Sequence, residues 1–161
     1  MKSKYILLIA VLVILGYVLF ADKKVTPPVD LGDFRNVKLV YTEDNGSVPP
    51  PYYTKNILTL SFPANGGAVG ELTVNDYKGN VTKKQDVIVT EDQFKQVVGK
   101  AMLISKTEKD LGGCTGGSNQ SVEVSRNDNV LLDVGNYNCA NSSSNKGVND
   151  FSTKLKQIIK N

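Results

Sequence analysis

The sequence predicts an α+β domain with an antiparallel sheet of about six strands and two helices packed on one face, preceded by an N-terminal transmembrane or signal helix. Three observations support this fold class. Short segments with alternating apolar and polar residues follow one another over residues 37–89 and 120–134. Two other segments carry apolar residues at helical spacing, and an uncharged apolar run fills residues 5–20.

The apolar run 5–20 predicts contact with a membrane. Its sixteen residues, at about 1.5 Å each, span roughly 24 Å against about 30 Å for the hydrocarbon core, and flanking Lys4 and Lys23 can snorkel to close the gap. We therefore interpret residues 1–22 as an anchor in the cell membrane. Two lysines precede the apolar run and two follow it, so the charges do not set its orientation; the cysteine pair, which suits an oxidising compartment, predicts that the remaining chain lies outside the cytoplasm. Cleavage of a signal peptide after Ala21 is the alternative and would leave a secreted or periplasmic domain, although the third-last position is not a small residue.

Residues 23–36 contain two adjacent prolines and little periodicity, so they are predicted to be a linker. Residues 37–161 are predicted to be a single extracytoplasmic domain with its own core. In an alternative interpretation, Leu31 and Phe34 form a short packed lead-in to that domain.

The composition argues against an enzyme, a metal site and a nucleic-acid partner. The chain has no histidine, which removes the commonest general base and the commonest metal ligand. Its formal net charge is +3, but the basic residues are dispersed among acidic ones without interleaved aromatics. We expect no catalytic site, no cofactor and no nucleic acid. The expected partners are the membrane, through residues 5–20, and a protein partner or protease.

Four alternating segments at the start of the domain predict a meander. They are Val37–Thr42, Ile57–Phe62, Val69–Asn75 and Val81–Val89. Short turns between them indicate antiparallel pairing. Each has one apolar and one polar face, which indicates that the sheet is covered on one side only.

A rigid loop is predicted between the first two strands. Three prolines remove backbone donors and are expected to fix an extended polyproline II conformation outside the sheet. Two tyrosines follow, and stiff tyrosine-bearing loops make good binding surfaces. The alternative is a rigid surface connection whose tyrosines cover the edge of the core. The residues concerned are Pro49, Pro50, Pro51, Tyr52 and Tyr53.

Two helices are predicted from capping residues and apolar stripes. Thr90–Gln93 forms a capping box that starts the first helix. Its apolar stripe consists of Phe94, Val97, Val98, Ala101 and Met102. Gly99 inside this helix either costs about 1 kcal/mol relative to alanine or marks a close approach to the sheet. Asn149 is predicted to cap the second helix. The apolar side of that helix carries Phe151, Leu155, Ile158 and Ile159.

The two cysteines, Cys114 and Cys139, are predicted to form a disulfide bond. Residues 120–125 and 130–134 form a hairpin if the chain turns at Asn127–Asp128, and antiparallel pairing then brings both cysteines to its open end. A disulfide bond there would stabilise the folded state by about 3 kcal/mol in the chain-entropy model. Such a bond suits an oxidising compartment. Two separate buried thiols are the alternative. Two cysteines without histidine are too few for a zinc site.

The stiff and glycine-rich loops predict a binding function. We expect Tyr52, Tyr53 and Tyr137, with the glycine-rich loop around Cys114, to form one contact surface, provided that they lie at the same end of the sheet. The predicted function is a membrane-tethered or secreted binding or accessory domain. A proteinaceous protease inhibitor that acts through the proline-rich loop is the alternative.

The order of elements over residues 37–159 resembles that of emfourin-type inhibitors of thermolysin-like metalloproteases. Both have an opening strand, a Gly/Pro-rich loop, further strands, a helix, a hairpin and a closing helix. The resemblance implies a loop that plugs a protease cleft, and Val48–Tyr53 is the segment whose stiffness suits that role. The prolines and the cysteine pair depart from the family pattern, so no inhibitory residue is transferred to this chain.

Overall fold

The computed structural model describes residues 32–107, 116–139 and 142–159. Within these residues it has an antiparallel sheet of seven strands and two α-helices, which confirms the α+β class. No helix in this part of the chain is long and apolar enough to cross a membrane. The predicted anchor, most of the predicted linker and Cys114 lie outside the described residues, so the anchor and the disulfide bond stay predictions.

The sheet contains the six predicted strands and one more. Their bounds are β1 Val37–Asp44, β2 Lys55–Phe62, β3 Val69–Asn75, β4 Val81–Val87, β5 Ser118–Arg126, β6 Asn129–Cys139 and β7 Ser142–Ser143. The spatial order is β4-β3-β2-β1-β5-β6-β7, and every neighbouring pair is antiparallel. The added strand β7 has only two residues and pairs with the last two residues of β6. It is too short for an alternating pattern to show in the sequence.

Helix α1 spans Glu91–Ala101 and begins as predicted. The Thr90 side chain accepts a hydrogen bond from the Gln93 N–H at 3.2 Å, and the Gln93 side chain accepts one from the Thr90 N–H at 2.9 Å. These two bonds are the predicted capping box. The apolar stripe of α1 faces the core, with Met102 partly buried just beyond its end.

Helix α2 spans Lys146–Ile159, so the prediction that Asn149 caps it is wrong. The cap is Asn145, whose side-chain oxygen accepts a hydrogen bond from the Val148 N–H at 3.3 Å. Asn145 is fixed in turn by Asn136 on β6, whose side-chain oxygen accepts from the Asn145 N–H at 2.8 Å. A tertiary contact therefore selects between two asparagines that are equally good caps by residue type.

Both helices pack on one face of the sheet, as predicted. The core residues of the strands are Val37, Leu39, Tyr41, Leu58, Leu60, Phe62, Val122, Val124, Leu132 and Val134. Those of the helices are Phe94, Val97, Val98, Ala101, Val148, Phe151 and Leu155. Phe94 stacks on Phe62 with ring centroids 5.7 Å apart and meets Phe34 edge-to-face at 6.4 Å. Phe34 therefore packs on the domain, as the lead-in interpretation expects of it, whereas Leu31 lies outside the described residues.

The opposite face of the sheet, here called the open face, is mainly polar. Strand alternation places on it Thr42, Thr59, Glu71, Thr73, Glu123 and Asp133. The two described helices pack on the other face, where the apolar residues of the same strands lie. The polar and apolar faces thus follow the predicted one-sided cover.

The β5–β6 hairpin turns at Asn127–Asp128, as predicted, and both residues have positive φ, of 47° and 63°. Two successive residues with positive φ are typical of the hairpin turn that matches strand twist. A register shift after Val124 pairs Ser125 with Val130, which is 59% exposed. Leu131 is the extra residue, because it is skipped in this pairing. Its insertion explains why Val130 does not share the buried face of β6.

The strand order brings three connections to one end of the sheet. Asp44 at the end of β1 pairs with Lys55 at the start of β2, and Lys55 pairs with Asn75 at the end of β3. Glu43 pairs with Gln120 near the start of β5. The β1–β2 loop, the β3–β4 turn and the open end of the β5–β6 hairpin therefore lie at the same end.

Candidate functional site at the tyrosine-bearing end of the sheet

The β1–β2 loop lies outside the sheet, as predicted, but its conformation differs from the prediction. Pro50–Tyr52 forms a short 3-10 turn instead of a polyproline II segment. The Tyr52 N–H donates to the Pro49 carbonyl at 2.9 Å, and the Tyr53 N–H donates to the Pro50 carbonyl at 3.2 Å. A proline ring fixes φ but leaves ψ free, and these hydrogen bonds select the helical value of ψ.

Asn45 joins the two sides of this loop by hydrogen bonds. Its side-chain amide donates to the Tyr52 carbonyl at 2.7 Å, and its side-chain oxygen accepts from the Thr54 N–H at 2.9 Å. Its backbone N–H donates to the Thr54 carbonyl at 3.2 Å. These bonds hold the proline turn against the ends of β1 and β2, so the loop is ordered before any partner binds.

The two tyrosines of the loop have different environments. Tyr52 is 71% exposed and, with the three exposed prolines, forms the surface of the loop. Tyr53 is half-buried, and this partial burial, with the neighbouring Asp44 carboxylate, raises the pKa of the Tyr53 hydroxyl. Tyr52 is therefore available for contact, whereas Tyr53 helps to hold the loop on β1.

Asp44 connects this loop to strand β5. Its carboxylate accepts hydrogen bonds from the Gly46 N–H at 2.8 Å, from the Asn119 N–H at 3.3 Å and from the Asn119 side-chain amide at 3.1 Å. Hydrogen bonds to an ionised acceptor are stronger than neutral ones. The β1–β2 loop and the start of β5 are thus joined on the open face.

Gly46 and Gly117 let the same two segments approach closely. Gly46 has a φ of +70°, and a Cβ on it would lie 1.2 Å from the Gly117 carbonyl oxygen. A Cβ on Gly117 would lie 2.1 Å from the Asn138 carbonyl oxygen and 2.8 Å from Cζ of the Tyr137 ring. Gly117 is therefore packed between the β1–β2 loop and β6.

Tyr137 completes this side of the surface. Its N–H donates to the Ser144 hydroxyl at 2.8 Å, and its carbonyl accepts from the Ser144 N–H at 3.0 Å. The ring is half-buried and lies next to Gly117. The position of Tyr137 is thus set from both sides, by Ser144 and by the glycine.

Tyr77 lies at the same end of the sheet and is not among the predicted contact residues. It sits in the β3–β4 turn, is 53% exposed, and has the Lys78 ammonium 5.6 Å from its ring centre. The Asp76 carboxylate holds the turn by accepting from the Lys78 N–H at 2.9 Å and from the Asn80 N–H at 2.8 Å. Counting strands identifies Tyr77, because alternate turns of an antiparallel meander lie at the same end.

The structure therefore brings the predicted contact residues together. Tyr52, Tyr53, Tyr77 and Tyr137 account for every described tyrosine except the buried Tyr41. We call the surface formed by these four residues the tyrosine end. Of the glycine-rich loop, Gly116 and Gly117 are described and Cys114 is not. That the tyrosine end binds a partner stays a prediction.

A buried polar cluster on the helix-covered face supports this end of the sheet. The Tyr41 and Ser152 hydroxyls lie 2.6 Å apart, and the Gln120 side-chain amide donates to the Ser152 hydroxyl at 3.3 Å. The Asn136 amide donates to the Gln120 side-chain oxygen at 2.9 Å. The cluster ties β1, β5, β6 and α2 together, and a satisfied buried network favours one arrangement of these elements.

The tyrosine end presents aromatic faces, hydroxyl groups and amides. Tyrosine supplies a large amphipathic contact area at low conformational-entropy cost, which suits noncovalent recognition. Across residues 32–107, 116–139 and 142–159, no group of three or more His, Cys, Asp or Glu residues is placed to hold a metal ion.

Comparison with known proteins found no family model, no curated protein and no solved structure that matches the chain. The geometry of the described residues is therefore the basis for a functional assignment. It defines an α+β domain with an ordered aromatic surface at one end of its sheet.

Proposed function

We propose that this protein is a membrane-tethered or secreted extracytoplasmic binding domain that contacts a protein partner through the tyrosine end. The observation that carries the proposal is the grouping of four tyrosines at one end of the sheet, three on connections between strands and Tyr137 near the end of β6, where internal hydrogen bonds hold the backbone in place. The location outside the cytoplasm rests on the apolar run 5–20 and on the predicted Cys114–Cys139 bridge.

The extent of the tyrosine end favours a protein partner over a small ligand. The β3–β4 turn and β6 are about four strand spacings apart, or roughly 20 Å at about 4.8 Å per spacing. A patch of that width is comparable to one side of a standard protein interface, which buries about 800 Å². Tyrosine is also enriched among the residues that dominate binding energy in such interfaces.

The test is site-directed photo-crosslinking of the full chain in the membranes of the cells that make it. One variant carries p-benzoylphenylalanine in place of Tyr52, and the control carries it in place of Ile88. Ile88 is 91% exposed and follows β4 at the opposite end of the sheet, so it reports random collisions. We expect a discrete protein adduct from position 52 that is absent from position 88. The same adducts at both positions, or none at position 52, would contradict the proposal.

Affinity measurements with the crosslinked partner complete the test. We expect Tyr52→Ala and Tyr77→Ala each to weaken binding by about tenfold, the effect of a moderate hot-spot residue. Ile88→Ala serves as the matched control and is expected to leave the affinity unchanged. Equal losses for all three variants would show that the contact surface lies elsewhere.

Protease inhibition through the proline loop is the second candidate function. It is favoured by the exposed prolines and Tyr52 on a loop that Asn45 fastens on both sides. An inhibitory loop has to resist cleavage, and preorganisation serves that purpose. The measurement is the activity of a thermolysin-like metalloprotease with the full chain and with its Asn45→Ala variant. Inhibition that Asn45→Ala weakens supports this function, whereas cleavage within the loop or unchanged protease activity excludes it.

A further inference from the structure

A cavity of about 300 Å³ lies on the helix-covered face, between the C-terminal half of α2 and strands β1–β4. Its walls are apolar and consist of Leu58, Leu72, Val87, Leu155 and Ile159. Leu58 and Leu155 are buried, whereas the other three are only partly buried. The cavity is therefore accessible from solvent beside β3 and β4, where the helices leave the sheet uncovered.

Polar side chains mark one end of this cavity. Glu43 and Lys156 form an ion pair there, with the Lys156 Nζ 2.7 Å and 2.9 Å from the two Glu43 carboxylate oxygens. Their charges compensate each other. Tyr41 also lines the cavity, but its hydroxyl is engaged with Ser152. These groups close the polar end without leaving an unpaired charge.

Asn56 is the polar lining residue that remains available to a ligand. It pairs with Glu43 across β1 and β2 and is half-buried. Among the described residues its side-chain amide has no hydrogen-bond partner. An asparagine amide offers two donors and one acceptor oxygen, so it can form hydrogen bonds with a ligand head group that enters the site.

We propose that this cavity binds a small uncharged amphiphile whose apolar body lies between the leucines and whose amide head hydrogen-bonds to Asn56. An amide is the complement of an asparagine side chain because each can donate to the other. A charged head is disfavoured because it would have to break the Glu43–Lys156 pair or remain uncompensated next to apolar walls. The site is on the helix-covered face, so the proposal is independent of binding at the tyrosine end.

The cavity volume sets the size of the ligand. An engineered cavity of about 150 Å³ lined by apolar side chains binds benzene. Twice that volume accommodates a molecule with up to about twelve non-hydrogen atoms, and it is near the lower limit of ordinary small-molecule sites. The expected class is therefore a short-chain alkyl or aromatic amide.

The test uses the full chain in lipid nanodiscs with isotopically labelled leucine methyl groups. Hexanamide, hexanoate and hexylammonium are titrated separately, because they share a body and differ in the charge of the head. We expect hexanamide to cause saturable shifts of the Leu58, Leu72 and Leu155 methyl signals, with an affinity at least fivefold higher than the two charged probes. Equal affinities for the three probes, or shifts that do not saturate, would overturn the proposal.

Variants separate the cavity from partition into lipid. We expect Ile159→Trp and Leu72→Trp each to fill the cavity and to abolish the saturable shifts. Ile159 lies in the last turn of α2, so Ile159→Trp provides the test if Leu72→Trp does not fold. Val69→Trp is the matched control, because Val69 is 53% exposed and belongs to the open face.

Asn56→Leu should reduce hexanamide affinity about tenfold while hexanoate affinity stays the same. Unchanged hexanamide affinity in Asn56→Leu would exclude the assigned head-group contact.

Discussion

Gly46 and Gly117 stand so close that a Cβ on Gly46 would overlap the Gly117 carbonyl oxygen, at 1.2 Å. This contact joins the β1–β2 loop to the segment that enters β5, and Tyr137 lies against the same glycine. The arrangement of the tyrosine end therefore depends on two residues that carry no side chain.

The first prediction concerns Gly46→Ala. Alanine at a φ of +70° is strained, and its methyl group would push the loop away from Gly117, so we expect a loss of about 2 kcal/mol or more in the free energy of unfolding. Urea denaturation measures the loss. Gly67→Ala is the control, because a Cβ there meets nothing within 4 Å. Equal stabilities of the two variants would show that the loop is not held in this way.

The second prediction is a stability loss at alkaline pH that depends on Tyr41. Burial raises the pKa of Tyr41 well above its ordinary value of about 10, although the Ser152 hydrogen bond offsets part of the shift. The unfolded chain therefore ionises Tyr41 first. Its contribution to stability is complete below pH of about 10 and is lost as the pH rises further. Denaturation at increasing pH should show a steeper decline for the unmodified protein than for Tyr41→Phe.

A matched variant separates this titration from the loss of a hydrogen bond. Ser152→Ala removes the partner of the Tyr41 hydroxyl but keeps the titrating group. At neutral pH we expect both Tyr41→Phe and Ser152→Ala to lose about 1 kcal/mol. Only Ser152→Ala should keep the alkaline decline. A constant stability difference between the unmodified protein and Tyr41→Phe across the alkaline range would disprove the assignment.

The third prediction is that Gly99→Ala stabilises the protein. Gly99 is exposed in the interior of α1, and a Cβ there meets nothing within 4 Å. Of the two sequence interpretations, the close approach to the sheet is therefore wrong, and the helix-propensity cost remains. We expect a gain of about 0.5–1 kcal/mol, measured by thermal unfolding. Gly70→Ala should instead destabilise, because its Cβ would lie 2.8 Å from the Val87 carbonyl oxygen.

The fourth prediction is the Cys114–Cys139 disulfide bond. No described cysteine is free, and Gly117 contacts Asn138, the residue before Cys139. Gly117 follows Cys114 by three positions in the chain, a reach of about 10 Å at full extension. Intact mass of the protein from its own membranes should show both thiols protected from alkylation until they are reduced. Reduction should cost about 3 kcal/mol of stability. Two thiols that react without reduction would reject the bridge and the oxidising compartment together.

Features that depend on neighbouring residues along the chain were predictable. The alternation of Leu39 and Tyr41, and of Leu58 and Leu60, identified the buried face because side chains in a strand alternate between two faces. Thr90 and Gln93 identified the start of α1 because a capping box closes within one turn.

Features that depend on contacts between residues distant in the chain were not predictable from the sequence. Asn145, not Asn149, caps α2 because Asn136 holds it from another strand. The prolines form a 3-10 turn because hydrogen bonds set the ψ angles that their rings leave free. Tyr77 joins the other tyrosines only once the strands are paired.

Local sequence patterns are sufficient to predict the α+β class, the buried faces of β1, β2 and β5, the start of α1 and the hairpin turn at Asn127–Asp128, because these features depend on residues close together in the chain. Only the strand order of the folded protein places β5 beside β1, so that the loop carrying Tyr52 and the part of β6 carrying Tyr137 meet at Gly117. Strand order is set by the simultaneous burial of apolar faces from segments far apart in the chain. No local pattern records which of the possible neighbours each strand takes.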